Sequence, residues 1–586
     1  MLVLLPVATV QQSLNVLLPI SFVVMVLLAI VVTSYRQTLF AYPSGGGAYI
    51  VAKDNLGETP SLVAGASLLV DYILTVAVSI SAGVAAIISA HESWADYRVT
   101  ICIACVGVMM IMNLRGVKES GRVFAGPTYV YIIALACLCG YGLYRSYFGG
   151  LSPIHEDAKA LEHLRTTTGA LSGLTFLIVL RAFSSGAIAL SGTEAISNGV
   201  PAFRSRPSES HNAAVTLTWM GIILGTFFFA ISLLAHRLNA FPTETETLLS
   251  VMGGAVFGKG TFFYLLVQIS TFAILILAAN TAFADFPRLS SIIARDGYLP
   301  RQLANRGDRL VFSNGVLVLS VVAGLLIVAF KGDTSALIQL YAVGVFTGFT
   351  LSQAGMVQHH RRLHEEGWRR GLIINAIGAG ATGLVLVVVL VSKFTEGAWI
   401  PAVLVPFIVM FFKAIHRHYV HVEKALAVPD DYHQPRATHT IVVLVGRINR
   451  ASLSALQYAK SLAPDRLIAV TVVSDAHEAE AIQMQWADHR VDVPLEIKLS
   501  PYRDLTSPIV EFLDELDETY VNDIVTVILP EFVLTKWWEQ LLHNQSALLL
   551  KGRLLFRRNT VVVSVPYHIE RDQADVIGEP EPSKIE

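Results

Sequence analysis

Apolar stretches long enough to cross a bilayer recur through the first 415 residues of the chain. A membrane-spanning helix needs about 20 apolar residues, because the hydrocarbon core is about 30 Å thick. Eleven stretches reach or approach this length: 16–35, 62–90, 99–112, 123–144, 174–200, 213–235, 260–284, 310–330, 334–358, 371–392 and 398–412. The pattern predicts an α-helical polytopic membrane protein whose transmembrane domain covers residues 1–420.

The chain opens on a short apolar fragment that begins at Met1 and continues through Pro6. This fragment is too short for a membrane span and has no basic segment before it, so a signal peptide is not indicated either. We interpret it as the end of a further helix whose first half precedes this sequence, which gives eleven complete spans plus a stub. A protein with eleven spans is the alternative.

The Lys and Arg residues between the spans predict the orientation. One set of alternate loops holds 16 of these residues and the other set holds 8. The richer set consists of 36–59, 113–122, 201–212, 285–309 and 359–370. Cytoplasmic loops carry an excess of Lys and Arg, so this set, and with it the C-terminal region, is expected to be cytoplasmic in a multi-pass plasma-membrane protein.

A different pattern begins beyond a linker at 421–437. Short β-branched runs at 440–445, 467–474, 494–499, 523–529 and 560–565 alternate with helical stretches near 451–463, 476–488, 505–518 and 534–555. This alternation predicts a parallel sheet with helices on both faces. We therefore expect a cytoplasmic α/β domain at 438–570, followed by a disordered acidic tail at 571–586.

The composition supports a membrane protein and excludes several other classes. Hydrophobic residues make up 53% and charged residues 15% of the chain, and the mean hydropathy is +0.56. The net charge of −2 gives no basic field for nucleic acid. The four cysteines lie in apolar runs without zinc-binding or disulfide spacing. The sequence therefore predicts neither an enzyme nor a cofactor site.

Three ionisable residues stand well inside the predicted spans: Asp71, Arg181 and Glu194. Such residues are costly in a bilayer and indicate function. Glu194 lies in a glycine-broken run at 184–200, where an unwound helix would free carbonyls and helix ends to hold an ion. A glycine-rich packing interface is the alternative interpretation.

A row of hydroxyl groups lies in the span at 62–90. Tyr72, Thr75 and Ser79 fall on one helical face, where they could replace part of a cation's hydration shell or bond to neighbouring helices. Asp71 points about 100° away from Tyr72 and is a candidate for a proton pathway. Tyr341 is a single aromatic residue in a glycine-bearing span, and alone it indicates little.

Arg447 and Asn449 follow the first predicted strand of the C-terminal domain and precede a helix. Ligands of parallel sheets sit beyond the carboxyl ends of the strands, and a helix start can receive a phosphate. These two residues are candidate nucleotide contacts. A plain turn between a strand and a helix is at least as good an interpretation, since no glycine-rich fingerprint is present.

Three segments resemble the KimA-type potassium importers of the amino acid-polyamine-organocation superfamily. They are Tyr42 to Gly57 (YPSGGGAYIVAKDNLG), Ser191 to Pro201 (SGTEAISNGVP) and Leu541 to Ser546 (LLHNQS). The first segment is shared with amino-acid permeases, whereas the C-terminal domain with its HNQ segment favours the potassium importers. The resemblance extends over essentially the whole chain.

The resemblance implies a LeuT-like inverted repeat of five plus five helices, with an incomplete first helix, and a C-terminal domain similar to universal stress proteins. It implies potassium–proton symport by a homodimer that cyclic di-AMP inhibits at the cytoplasmic domains. The cation-binding positions it implies are Tyr72, Thr75, Ser79, Ser191, Glu194 and Tyr341, with Ser191 in place of a threonine. The carboxylate and tyrosine that the family's first broken helix supplies lie before the start of this sequence.

The sequence is also compatible with two other functions. An amino-acid or polyamine permease would share the fold and the first motif. A membrane-bound nucleotide sensor without transport would use the C-terminal domain alone.

Overall fold

A computed structural model describes most of the chain. The described residues are 10–45, 47–116, 121–151, 153–154, 176–243, 246–305, 312–364, 366–394, 397–431, 438–500, 504–520, 523–533 and 546–568. The polypeptide divides into two compact units, Met1–Ala427 and Val428–Glu586. The apolar fragment at the start, the HNQ residues through Gln545 and the acidic tail lie outside the described residues.

Fourteen α-helices form the described part of the first unit. They are α1 Val10–Ala41, α2 Gly47–Leu56, α3 Glu58–Ala90, α4 Arg98–Leu114, α5 Gly121–Phe148, α6 Phe176–Ala187, α7 Gly192–Asn198, α8 Glu209–Leu238, α9 Leu248–Phe257, α10 Phe262–Arg295, α11 Ser313–Ala329, α12 Thr334–Leu363, α13 Trp368–Lys393 and α14 Trp399–Leu426. Nine helices within the described ranges are long and apolar enough to cross a membrane. Nine of the eleven predicted stretches fall on these helices, which confirms a helical polytopic unit. Within the described residues, the stretch 174–200 is divided between α6 and α7, and 310–330 falls on the shorter helix α11.

The helices differ in how much of their apolar surface is buried. About 61% of the most apolar window of α3 and 56% of that of α12 lie inside the protein, against 17% for the α4 segment and 22% for α14. Helices α3 and α12 therefore form the interior of the unit. The outer helices keep their apolar side chains exposed, as lipid-facing helices do, since the bilayer takes the place of the protein core.

The segment 36–59, which the sequence pattern treats as a loop, contains the ten-residue helix α2. Its first residues are buried, and a side chain at Gly355 on α12 would meet Val51 of α2 at 2.8 Å. Apolar length alone did not predict this helix, because a short helix that packs on protein needs fewer apolar residues than a span does.

The second unit is a five-stranded parallel sheet. Its strands are β1 Thr438–Leu444, β2 Arg466–Val473, β3 Leu495–Leu499, β4 Asp523–Val533 and β5 Thr560–His568, and their order is β3-β2-β1-β4-β5. All four strand pairings are parallel, as the alternating pattern predicts. The central strand β1 is buried along five successive residues, because helices cover both faces of the sheet.

Four helices make up those two layers: α15 Arg450–Ser461, α16 Ala476–Asp488, α17 Thr506–Thr519 and α18 Ser546–Leu554. Ile441 and Val443 of β1 pack with α15 and α16, whereas Val442 and Leu444 pack with α17 and α18. The side chains of β1 thus alternate between two apolar cores. The predicted α/β architecture is confirmed for these elements; α18 begins at Ser546, and the rest of the predicted helix at 534–555 lies partly beyond the described residues.

Helix α15 begins with a reciprocal cap. The Asn449 side chain accepts a hydrogen bond from the backbone N–H of Ser452 at 2.9 Å, and the Ser452 hydroxyl oxygen accepts one from the backbone N–H of Asn449 at 2.9 Å. Such a capping box satisfies two amide groups that a helix start otherwise leaves without partners.

We expect Asn449→Ala to destabilise the start of α15 by about 1 kcal/mol, the usual cost of losing such a cap. Amide hydrogen exchange of peptides from 450–461 in the full chain should then be about fivefold faster. Asn449→Ser keeps a capping oxygen and should leave exchange nearly unchanged. Equal exchange in the two variants would contradict this role for the Asn449 side chain.

Candidate functional site

The glycine-broken run at 184–200 is interrupted in the structure. Helix α6 ends at Ala187, a single 3-10 turn covers Ile188–Leu190, and the short helix α7 begins at Gly192. The Thr193 hydroxyl donates to the Leu190 carbonyl at 2.9 Å, which fixes the turn locally. The predicted interruption is therefore present, but as a 3-10 turn and not as an unwound segment, since Ala187 and Ser191 on either side keep right-handed helical dihedrals. It lies beside α3 and α12, the two interior helices.

Glu194 lies on α7, where its side chain is 3% exposed. Its carboxylate accepts a hydrogen bond from the backbone N–H of Ala48, in the first turn of α2, at 3.4 Å. A helix start favours negative charge, because its amides point outward and the helix dipole is positive there. No ion pair joins Glu194 to any cationic side chain among the described residues.

Gly348 of α12 leaves room for this carboxylate. A side-chain carbon at Gly348 would lie 3.2 Å from one Glu194 oxygen. The acidic group is thus enclosed by α7, the start of α2 and a glycine face of α12. A buried carboxylate with one amide donor is costly to keep charged unless a cation or a proton accompanies it.

Tyr341 connects α12 to the row of hydroxyl groups on α3. The Thr75 hydroxyl donates to the Tyr341 hydroxyl at 3.0 Å. The same tyrosine interacts electrostatically with Ser191 at the break and with Asp71. The structure therefore brings together Asp71, Thr75, Ser191 and Tyr341. No local pattern in the sequence joined Tyr341 to the others, and only the family resemblance did.

Asp71 is the second buried carboxylate of this region, with its side chain 6% exposed. One of its oxygens is enclosed and has no hydrogen-bond partner among the described residues. A side-chain carbon at Gly344 of α12 would lie 3.7 Å from the Asp71 side chain, so a glycine face is close to this carboxylate as well. Asp71 and Glu194 are therefore two buried carboxylates near Tyr341, and neither has a cationic partner among the described residues.

Asn198 is a site residue that the sequence reasoning missed. Its side-chain amide donates to the hydroxyl oxygen of Tyr72, and its backbone carbonyl accepts from Arg288 at 3.3 Å. A side-chain carbon at Gly47 would lie 2.1 Å from the Asn198 amide oxygen, so the glycine at the start of α2 makes this contact possible. The signal that could have found it is its place inside the broken run, one turn after Glu194.

Ser79 and Tyr35 are two further buried residues of this region. Ser79 is buried one turn beyond Thr75, and it makes no hydrogen bond among those that the described residues form. Tyr35 of α1 is fully buried, and it interacts electrostatically with Glu194 and Asp71. No sequence signal singled out Tyr35, because one tyrosine in an apolar helix is common.

The two candidate nucleotide contacts of the C-terminal unit are exposed. The Asn449 side-chain oxygen caps α15, which leaves its amide nitrogen available as a donor. Arg447 lies close enough to Glu478 to lower the pKa of that carboxyl, after the larger lowering by hydrogen bonds from Ser474. The sequence placed both residues correctly at the end of β1, and the structure gives Asn449 a structural role.

Buried carboxylates, hydroxyl groups and an interrupted helix in the interior of a helical bundle are features that define the class of membrane transporters. Comparison with known proteins agrees. Residues 3–412 match the amino acid permease family, and residues 437–567 match the C-terminal domain of the KimA potassium transporter. The chain is 42% identical to the potassium transporter KimA of Bacillus subtilis, over 94% of this chain and 90% of that protein.

The chain therefore belongs to the KimA family of transporters, as the sequence resemblance predicted, and it is a multi-pass membrane transport protein rather than an enzyme. A more distant similarity, 25% identity, joins it to the probable potassium transport system protein Kup 2 of Cupriavidus necator. That match covers 60% of this chain and 53% of the relative.

The contact between Gly47 and Asn198 gives a testable prediction. We expect Gly47→Ala to lower the thermal unfolding midpoint of the purified protein, because the new carbon would overlap the Asn198 amide and overpacking costs about 1–3 kcal/mol. Gly367→Ala is the control, since Gly367 is also left-handed, with φ 78°, but has no atom within 4 Å of the added carbon. Equal losses in both variants would show that only backbone conformation matters.

Proposed function

We propose that this chain imports potassium ions, which it binds at the broken segment between α6 and α7. The observation that carries the proposal is the buried Glu194, whose carboxylate has an amide donor but no cationic partner among the described residues. The names of both relatives support potassium as the transported ion. A large monovalent cation suits a site of oxygen atoms with one nearby negative charge, because carbonyl and hydroxyl oxygens replace its hydration shell.

The proposed cation ligands are Tyr72, Thr75, Ser79, Ser191, Glu194 and Tyr341. Thr75, Tyr341 and Ser191 support this assignment best, since they meet around one point between α3, α12 and the break. Tyr72 is held by Asn198 at the other end of α7, so it would contribute indirectly or after a rearrangement. Ser79 lies one turn farther along α3 and is the least supported member.

We also propose that Asp71 and Glu194 carry the protons of a potassium–proton symport. Both are buried carboxylates, and each interacts electrostatically with the other. Two buried negative charges that repel each other favour a shared proton, so binding of a cation at Glu194 would change how readily Asp71 releases one. This coupling rests on the proximity of the two carboxylates.

Two finer features of the fold belong to the same proposal. The interrupted helix and the interior position of α3 and α12 support an inverted repeat of five plus five helices, as in LeuT-like transporters. The parallel sheet with helices on both faces supports a likeness of the C-terminal domain to universal stress proteins. We propose the domain limits 1–420, 438–570 and 571–586, with a linker at 421–437 whose first six residues continue helix α14 through Leu426.

The role of Glu194 is tested by rubidium uptake in cells that lack their own potassium importers. We expect Glu194→Gln, which keeps the shape but removes the charge, to reduce uptake at least about tenfold, since it removes the neutralising charge of the site. Glu92→Gln, at an exposed position, is the matched control and should transport normally. Full uptake by Glu194→Gln would contradict the proposed site.

The same assay separates the alternative functions. Inhibition of uptake by excess potassium, but not by amino acids or polyamines, is the expected result. Inhibition by amino acids alone would favour a permease. Absence of any flux, together with nucleotide binding by the full chain, would favour a sensor.

For regulation, we propose that a homodimer binds cyclic di-AMP at the C-terminal domain, with Arg447 and Asn449 among the contacts. Arg447 is exposed at the end of β1, and the amide nitrogen of Asn449 remains available beside the start of α15. The guanidinium and the helix start would both favour a phosphate.

Calorimetry with cyclic di-AMP and the full chain tests this contact. We expect Arg447→Gln to weaken binding about tenfold, because a hydrogen bond to a charged group contributes about 1.5–3 kcal/mol. Arg490→Gln, another exposed arginine of the same unit, is the control and should bind normally. Equal affinity of all three proteins would exclude Arg447 as a contact.

A further inference from the structure

A cavity of about 650 Å³ lies where the last turns of α1 and α12 meet the first turn of α13. Its lining includes Arg36, Gln37, Phe40, His360 and Arg370. None of the proposed cation ligands lines it. The adjoining segments 36–59 and 359–370 belong to the loops rich in Lys and Arg, which places the cavity at the cytoplasmic surface of the bilayer.

A chain of hydrogen bonds fixes the amide groups beneath this cavity. The Ser34 hydroxyl donates to the Asn375 side-chain oxygen at 2.6 Å, and the Asn375 amide nitrogen donates to the Gly371 carbonyl at 2.9 Å. A carbonyl only accepts, so the Asn375 atom that faces Gly371 must be the nitrogen. That nitrogen also donates to Gln37 at 2.7 Å, so the Gln37 atom that it meets is the side-chain oxygen.

The orientation of Gln37 determines what the cavity offers to a ligand. The Gln37 oxygen also lies 3.1 Å from the Nε2 atom of His360, which must therefore carry the proton and donate. The oxygen of Gln37 is used twice, and its amide nitrogen makes no hydrogen bond to any described residue. Gln37 can therefore offer the cavity only a donor.

Gly371 permits this arrangement. A side-chain carbon at Gly371 would lie 2.6 Å from His360 Nε2 and 3.0 Å from the Gln37 oxygen. The network can therefore form only because α13 has no side chain there. Close packing around three polar residues marks the base of the cavity as a defined structure.

The charged groups of the cavity favour an anion. Arg36 and Arg370 are exposed, and neither forms an ion pair with a described residue. Among the described lining residues Glu366 is the acidic one, so the two guanidinium groups exceed the described negative charge. Arginines and an amide donor around one cavity match the oxygen atoms of a phosphate group.

Exposed apolar side chains surround the cavity. Phe40 is 53% exposed and Leu363 46%, and both line it. Ile373 and Ile377, one turn apart on α13, are 56% and 55% exposed. Such residues face lipid chains in a membrane-spanning helix, so a molecule that carries both a phosphate and acyl chains fits this surface.

We propose that this cavity binds the phosphate headgroup of an anionic membrane lipid, with Arg36 and Arg370 as the charged contacts and Gln37 as an additional donor. The acyl chains lie against Phe40 and the apolar face of α13. A basic pocket between helices at the cytoplasmic surface is a recurring form of lipid recognition. The cavity shares no lining residue with the proposed cation ligands, so its occupancy can be measured without transport.

Native mass spectrometry of the full chain, released from detergent with added lipid, tests the proposal. We expect phosphatidylglycerol to be retained in preference to phosphatidylcholine. The double variant Arg36→Gln, Arg370→Gln should weaken phosphatidylglycerol binding by about 25-fold, since each basic residue near an anionic surface contributes a factor of about five. Gln37→Leu should weaken it less, because that change removes a neutral donor.

The control removes two nearby arginines that do not line the cavity, in Arg361→Gln, Arg369→Gln. This variant should retain phosphatidylglycerol as the unchanged protein does. Equal binding by both double variants would overturn the proposal in favour of nonspecific surface charge. Titration with inorganic phosphate distinguishes a soluble ligand: saturation by phosphate alone, with no preference among lipids, would also overturn it.

Discussion

The cost of holding carboxylates inside a membrane protein is the constraint on which the rest of this structure depends. Glu194 and Asp71 are both buried among helices, where solvation by water is lost and each charge requires a substitute. The protein provides only part of that substitute, through the Ala48 amide at the start of α2 and the hydroxyl groups of α3 and α12. The negative charge that remains uncompensated favours a cation or a proton at this position.

Several local features follow from this constraint. Glu194 follows the interruption between α6 and α7 and faces the start of another helix through the Ala48 amide. Glycines at 344 and 348 keep α12 close to the two acidic side chains without displacing them. Helix α2, which looks like part of a loop in the sequence, supplies the Ala48 amide of its first turn to Glu194.

The sequence predicted the secondary-structure elements better than it predicted the tertiary contacts between them. Local periodicity and composition predict the spans, the interruption at 184–200 and the parallel sheet. Glu194 and Asp71 could be predicted because a charge in an apolar run is conspicuous. The contacts of Tyr341 with α3 and of Asn198 with Tyr72 join residues that are far apart in the chain, and no local pattern encodes them.

Helix α12 carries residues of two regions that the sequence does not connect. Tyr341 and Gly348 belong to the ion-binding region, and His360 belongs to the network under the cytoplasmic cavity. At about 1.5 Å per residue, the 19 steps from Tyr341 to His360 correspond to about 28 Å of continuous helix. A continuous helix of this length moves as one rigid body. A tilt of α12 at Tyr341 would therefore also displace His360 and the hydrogen-bond network around it.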